Sequence, residues 1–122
     1  MIREFRDLRV WQLAHELTVQ IYKTSGLFPK EELYGIVSQL RRSSSSVGAN
    51  ISEGFSRNTK KEFIQFLYIG KGSLTETINH LLLAKDLGYV NEEEYLSLEE
   101  RYVALNKQIN ALILSIKKNY VS

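Results

Sequence analysis

The sequence predicts an all-α protein, an up-down-up-down antiparallel four-helix bundle built by residues 1–122 as a single domain. Two observations carry this expectation. Apolar residues recur at alternating three- and four-residue spacing in four successive stretches, as core-facing helices require. The connectors between those stretches are short, which favours antiparallel neighbours. The last stretch is the cleanest, with Tyr95, Leu98, Tyr102, Leu105, Ile109, Leu112 and Ile116 in one phase.

The first helix is expected to start near Asp7, as N-cap, and to bury Val10, Ala14, Leu17 and Ile21, with Trp11 and Leu13 widening the face. It should stop near Gly26. Pro29 then suits the first turn of a second helix, where Glu31 and Glu32 meet the positive end of the helix dipole. The second stripe runs Leu33, Val37, Leu40, Ser44, Val47, Ile51 and Gly54. Its phase survives the serine run Ser43 to Ser46, so that run reads as helix and not as linker, with a possible kink at Gly48. Ser45, Ala49, Ser52 and Ser56 form a second line of small residues that would let another helix approach closely.

Thr59-Lys60-Lys61-Glu62 has the form of a capping box and opens the third helix. Its stripe is Phe63, Leu67, Gly70, Leu74, Thr77, Leu81 and Ala84, broadened by Phe66, Ile78 and Leu82, and Gly88 supplies the stop. Gly70 and Gly72 inside it each cost about 1 kcal/mol relative to alanine, so close backbone packing is their expected reason. Asn91 caps the fourth helix with Glu94 three residues on, and Lys117 and Lys118 suit the negative pole at its end.

Composition narrows function further. A chain that is 43% hydrophobic and 25% charged is an ordinary globular one. No cysteine is present, which excludes disulfides and thiolate metal sites and makes a reducing cytoplasm the natural setting. Met1 to Val10 lacks the apolar run of a signal peptide, and no later stretch is apolar enough to span a bilayer, so neither export by that route nor a membrane partner is expected.

Residues for covalent or metal chemistry come up short. His15 and His80 lie in helices without an HExxH or Glu-x-x-His arrangement, so neither a metal nor a cofactor is expected. Glu53 and Glu76 read as paired or hydrogen-bonded structural carboxylates, and no catalytic residue is assigned. Gly70-Lys71-Gly72-Ser73 resembles a phosphate loop only superficially, since it falls within a helical stripe and no strand precedes it. Asn50 is expected to satisfy interhelical polar groups beside Glu53, and Trp11, the single tryptophan, to be a core anchor.

What remains is charge. The net charge is only +2, but Arg41, Arg42, Arg57, Lys60 and Lys61 face only Glu53 in their stretch, while Glu92, Glu93, Glu94, Glu99 and Glu100 gather near the start of the last helix. In one subunit the five basic residues need not be adjacent. An oligomeric ring would repeat the patch and sum its field, and phosphates could then be held electrostatically.

The chain also resembles the four-helix-bundle family of 23S rRNA intervening-sequence proteins, which includes the accessory variability determinant of diversity-generating retroelements. The carriers are Phe5 to Gln12, Pro29 with Glu32-Leu33-Tyr34-Gly35, Gln39-Leu40-Arg41-Arg42, Asn50-Ile51-Ser52-Glu53-Gly54, and Glu62-Phe63 through Gly72-Ser73 with Glu76. Gly48 stands where many members carry proline, which affects the kink and not the fold. The resemblance implies a homo-oligomer, a pentameric ring or barrel, that is non-enzymatic and associated with nucleic acid, RNA or DNA. In the retroelement branch the partner is a reverse transcriptase, and nucleic acid is bound through basic surface, for which Arg41, Arg42, Arg57, Lys60 and Lys61 are the matching candidates. The competing expectation is a protein-interaction adaptor that does not touch nucleic acid.

Overall fold

The structure, a computed structural model, describes the backbone of residues 1–121 and the side chains of residues 1–118. Four helices account for most of it: α1 (Arg9–Ser25), α2 (Ile36–Phe55), α3 (Lys60–Asp86) and α4 (Glu92–Val121). Each packs on its neighbours in chain order and α4 closes onto α1, so that α1 faces α3 and α2 faces α4 across diagonals. This is the up-down-up-down bundle. Its core runs the length of the helices, from Val10, Leu17 and Ile21 of α1 through Leu40, Val47 and Ile51 of α2 and Leu67, Leu74 and Leu81 of α3 to Tyr102, Leu105 and Ile109 of α4.

The connectors differ from expectation in instructive ways. Asp7 does not cap α1. It closes a 3-10 turn, Phe5–Asp7, by accepting from the backbone N–H groups of Arg3 (2.9 Å) and Glu4 (3.1 Å), bonds that hold its carboxyl below the usual range. Leu8, buried and without a capping side chain, precedes α1 instead. Pro29 likewise opens a separate 3-10 turn, Lys30–Glu32, and α2 begins only after Gly35, whose backbone (φ −108°, ψ −116°) is not helical. Leu33 is therefore half-exposed and outside the α2 stripe. Two contacts hold this turn to the opposite connector: Phe28 packs on Tyr89 with ring centroids 5.4 Å apart, and the Tyr89 hydroxyl donates to Glu32 Oε2 at 2.8 Å.

The remaining ends follow the sequence. The Thr59 side chain accepts from the Glu62 N–H at 3.1 Å, and Asn91 Oδ1 from the Glu94 N–H at 2.8 Å. Gly88, at φ +83°, ends α3 by letting the Tyr89 N–H reach the Ala84 carbonyl (2.9 Å), a turn that L residues adopt only with strain. Near the end of α4 the buried positions are Ile113 and Ile116, with Leu112 only partly buried and packed against them.

The serine run is helical throughout, with no break at Gly48. Ser43 and Ser44 are buried, their hydroxyls donating back to the Leu40 and Arg41 carbonyls (both 3.3 Å). Here α2 meets its neighbours closely. The Thr77 hydroxyl lies 2.9 Å from that of Ser43, Ser73 donates to Ser46 at 3.0 Å, and Thr18 of α1 donates to the Ser44 carbonyl at 2.9 Å. A Cβ on Gly48 would make an ordinary contact, 3.5 Å from Trp11 Nε1, and the Trp11 indole stacks on His15. The other small line, Ser45, Ala49, Ser52 and Ser56, looks outward: Ser52 is half-buried and the other three are exposed. Asn50, expected to bond across helices, donates within α2 to the Ser46 carbonyl (2.8 Å).

The helical glycines separate cleanly. A Cβ on Gly54 would lie 2.6 Å from Phe66 Cβ and 3.1 Å from Phe63 Cδ1, so alanine there would push α2 away from α3. At Gly70 a Cβ meets only ordinary contacts, and at Gly72 nothing among the described residues lies within 4 Å, so close packing does not explain Gly72. We expect Gly54→Ala to lower stability by about 1–3 kcal/mol through overpacking, and Gly72→Ala to raise it by about 1 kcal/mol through helix propensity. Denaturant unfolding measures both; equal effects at the two sites would contradict this account.

Tyr102 has a different weakness. It is 1% exposed, and among the described residues its hydroxyl has no hydrogen-bond partner; burial pushes its pKa up. A buried unpaired hydroxyl costs about 1–3 kcal/mol. Tyr102→Phe should therefore raise the melting temperature, and a fall would mean that the hydroxyl is bonded in solution.

Candidate nucleic-acid interface

The topology gathers the start of α1, the end of α2, the start of α3 and the end of α4 at one end of the bundle. That end carries Arg57, Lys60 and Lys61 from the α2–α3 turn, and α4 adds Lys117 and Lys118. The opposite end carries Glu31, Glu32, Asp86, Glu92, Glu93 and Glu94. A protein of small net charge is thus polarised along its long axis.

The five basic candidates do not form one patch. Arg41 and Arg42 lie roughly 20 Å along the α2 axis from its far end. Arg41 serves the end of α1: its Nε donates to Ser25 Oγ (3.0 Å), its Nη2 to the Tyr22 carbonyl (3.2 Å), and its guanidinium lies 4.6 Å from the centre of the Tyr22 ring. A cation on the last carbonyls of a helix is a stabilising arrangement. Arg42 pairs with Glu76 and with Gln39 Oε1 (2.9 Å), tying α2 to α3.

Glu76 accepts from both Arg42 and His80. Partial desolvation opposes its ionisation, but the hydrogen bonds from His80 and Arg42 outweigh it and hold the carboxyl below the usual range. Glu53 pairs with Arg57 at 2.8 Å within one helical turn. The two carboxylates thus serve separate ion pairs. His15 lies against Trp11, and among the described residues no group of three or more His, Cys, Asp or Glu side chains converges as a metal would need. The Gly70 to Ser73 segment lies inside α3.

At the basic end the residues differ in freedom. Arg57 pairs with Glu53 at 2.8 Å and rests 4.8 Å from the Phe66 ring centre. Lys60 and Lys61 are exposed and, among the described residues, make no ion pair within 4.0 Å. Lys117 was legible only as a helix-ending charge, yet it reaches across to α3, donating to the Tyr68 hydroxyl at 3.1 Å. That bond, more than the nearby charge, pulls the Tyr68 pKa down. The sequence signal for this feature is the spacing Lys61, Ile64, Gln65, Tyr68, one outward face of α3.

No helix among the described residues is long and apolar enough to cross a membrane. Comparison with curated proteins finds no match. Among solved structures the chain is similar to a protein of unknown function from the S23 ribosomal protein family of Bacteroides thetaiotaomicron, at 29% identity and a TM-score of 0.76, over 85% of this chain and 97% of that one. Comparison with protein families matches residues 6–111, which include Arg41, Arg42, Arg57, Lys60 and Lys61 and stop short of Lys117. The chain therefore belongs to the 23S rRNA-intervening sequence protein family.

Proposed function

We propose that this protein is a non-enzymatic, homo-oligomeric scaffold that holds RNA or DNA weakly, without sequence preference, through contacts to phosphate. The observation that carries the reading is the concentration of lysine and arginine at one end of the bundle, with Lys60 and Lys61 exposed there. Phosphate contacts of this kind need charge and access and little else. Lys60 and Lys61 bear most of the role, joined by Lys117 and Lys118; Arg57, Arg41 and Arg42 contribute less because groups of the same chain already engage them.

Self-association is supported by an outward apolar stripe on α4. Leu96, Val103 and Leu114 are 52%, 42% and 66% exposed, and their spacing of seven and eleven residues puts them on one helix face. A second copy of the chain is the occupant we assign to it. The family resemblance implies five copies in a ring, where the basic ends would add their fields. A cytoplasmic setting fits a chain without cysteine.

The second reading is an adaptor for a protein such as a reverse transcriptase. It is favoured by Leu27 and Tyr34, 88% and 92% exposed at the acidic end.

Light scattering with and without a generic RNA, at low and moderate salt, tests both parts. The expected result is an oligomer that binds RNA and releases it as salt rises, while Leu114→Glu gives a folded species of lower mass. A wild-type monomer would remove the scaffold, and an oligomer indifferent to RNA would move the reading to the adaptor.

A further inference from the structure

The basic end holds a groove whose make-up exceeds what phosphate binding needs. It runs between the start of α3 and the end of α4, is lined by Lys61, Ile64, Gln65, Tyr68 and Lys117, and measures about 400 Å³. That volume is within the range of roughly 300–1,000 Å³ typical of small-molecule clefts. Tyr68 is 47% exposed, so part of its ring is open to a partner in the groove. The Lys71 and Lys117 ammonium groups each lie 5.5 Å from its ring centre. Among the described residues no acidic side chain lines the groove.

A surface that bound only phosphates would need the lysines. The ring, the Ile64 side chain and the Gln65 amide add an apolar platform with one hydrogen-bonding edge, a surface on which a planar base can lie. Lys61 and Lys117 line the same groove and Lys71 lies 5.5 Å from the ring centre, close enough to meet phosphates next to that base. In a duplex the base faces are stacked and cannot reach such a platform; in a single strand they can. We infer that this groove takes an unpaired nucleotide, with its base on Tyr68 and Ile64 and its flanking phosphates on Lys61, Lys71 and Lys117, so that the protein prefers single strands to duplex.

This deepens the phosphate-binding reading and rests on it. The test compares wild type, Tyr68→Ala and Tyr68→Phe in binding to single-stranded oligo(U), oligo(dT) and a duplex of equal length, each across a salt series. Because Tyr68 is half-exposed, both variants should fold, which circular dichroism checks. Stacking on an aromatic side chain is worth about 5- to 150-fold per base, so Tyr68→Ala should lose at least about 5-fold on the single strands. It should change little on the duplex, and Tyr68→Phe should retain the preference. Salt dependence should persist in all three, since the lysines remain. Equal single-strand affinity in wild type and Tyr68→Ala, or an equal loss on duplex, would overturn the stacking groove while leaving phosphate binding standing. If wild type binds none of the three nucleic acids at low salt, both readings fall. The oligo(U) and oligo(dT) arms report whether the 2′-hydroxyl matters.

Discussion

The close approach of α2 and α3 is the constraint on which the other features depend. Small side chains make it possible: Ser43 and Ser44 are buried in α2, and Gly54 lies where any Cβ would collide with Phe66. Hydroxyls make it specific, because Ser43 meets Thr77 and Ser46 meets Ser73 at hydrogen-bond distance. Serine removes little apolar area from water, so the packing here relies on shape and on polar groups that find partners. The apolar driving force comes from the longer side chains on both sides of this seam, Leu40, Val47, Ile51, Leu67 and Leu74.

The seam also sets the geometry of the basic end. With α2 and α3 held close, the turn from Ser56 to Thr59 is short, and Arg57, Lys60 and Lys61 are displayed together on it. The Thr59 cap fixes where α3 starts, and hence which of its faces carries Lys61, Ile64, Gln65 and Tyr68 toward α4. The other end has a different character. There Arg41 is engaged by the end of α1, Tyr89 bonds Glu32, and Glu94 accepts from the Thr24 hydroxyl (2.7 Å), so these three charged groups act as internal fastenings. Carboxylates gathered at one end and exposed lysines at the other are what make the charge distribution functional in our reading.

Much of the fold was legible in the sequence because the stripes obey helical periodicity and the caps at Thr59, Asn91 and Gly88 have local chemistry that tertiary contacts do not override. The misplaced elements were those decided at longer range. Asp7 was free to cap either a helix or a turn, and the backbone of Arg3 and Glu4 claimed it. Leu33 fitted the α2 period, but Gly35 and the Tyr89–Glu32 tether put it outside the helix. The candidate site was less legible. Sequence proximity grouped Arg41 and Arg42 with Arg57, whereas a helix separates positions in space that adjoin in a composition count. Lys117 reaches the site by crossing from α4, and Tyr68 stood out only once α4 was seen beside it.

The measurement that tests the central claim most directly compares two charge-removal variants in nucleic-acid binding over a salt series, Lys60→Gln/Lys61→Gln at the end of the bundle and Arg41→Gln/Arg42→Gln along α2. The account predicts that the first weakens binding and flattens the salt dependence, because released counterions scale with phosphate contacts, while the second acts mainly on stability. Loss of binding confined to the arginine variant, with the lysine variant unchanged, would contradict it.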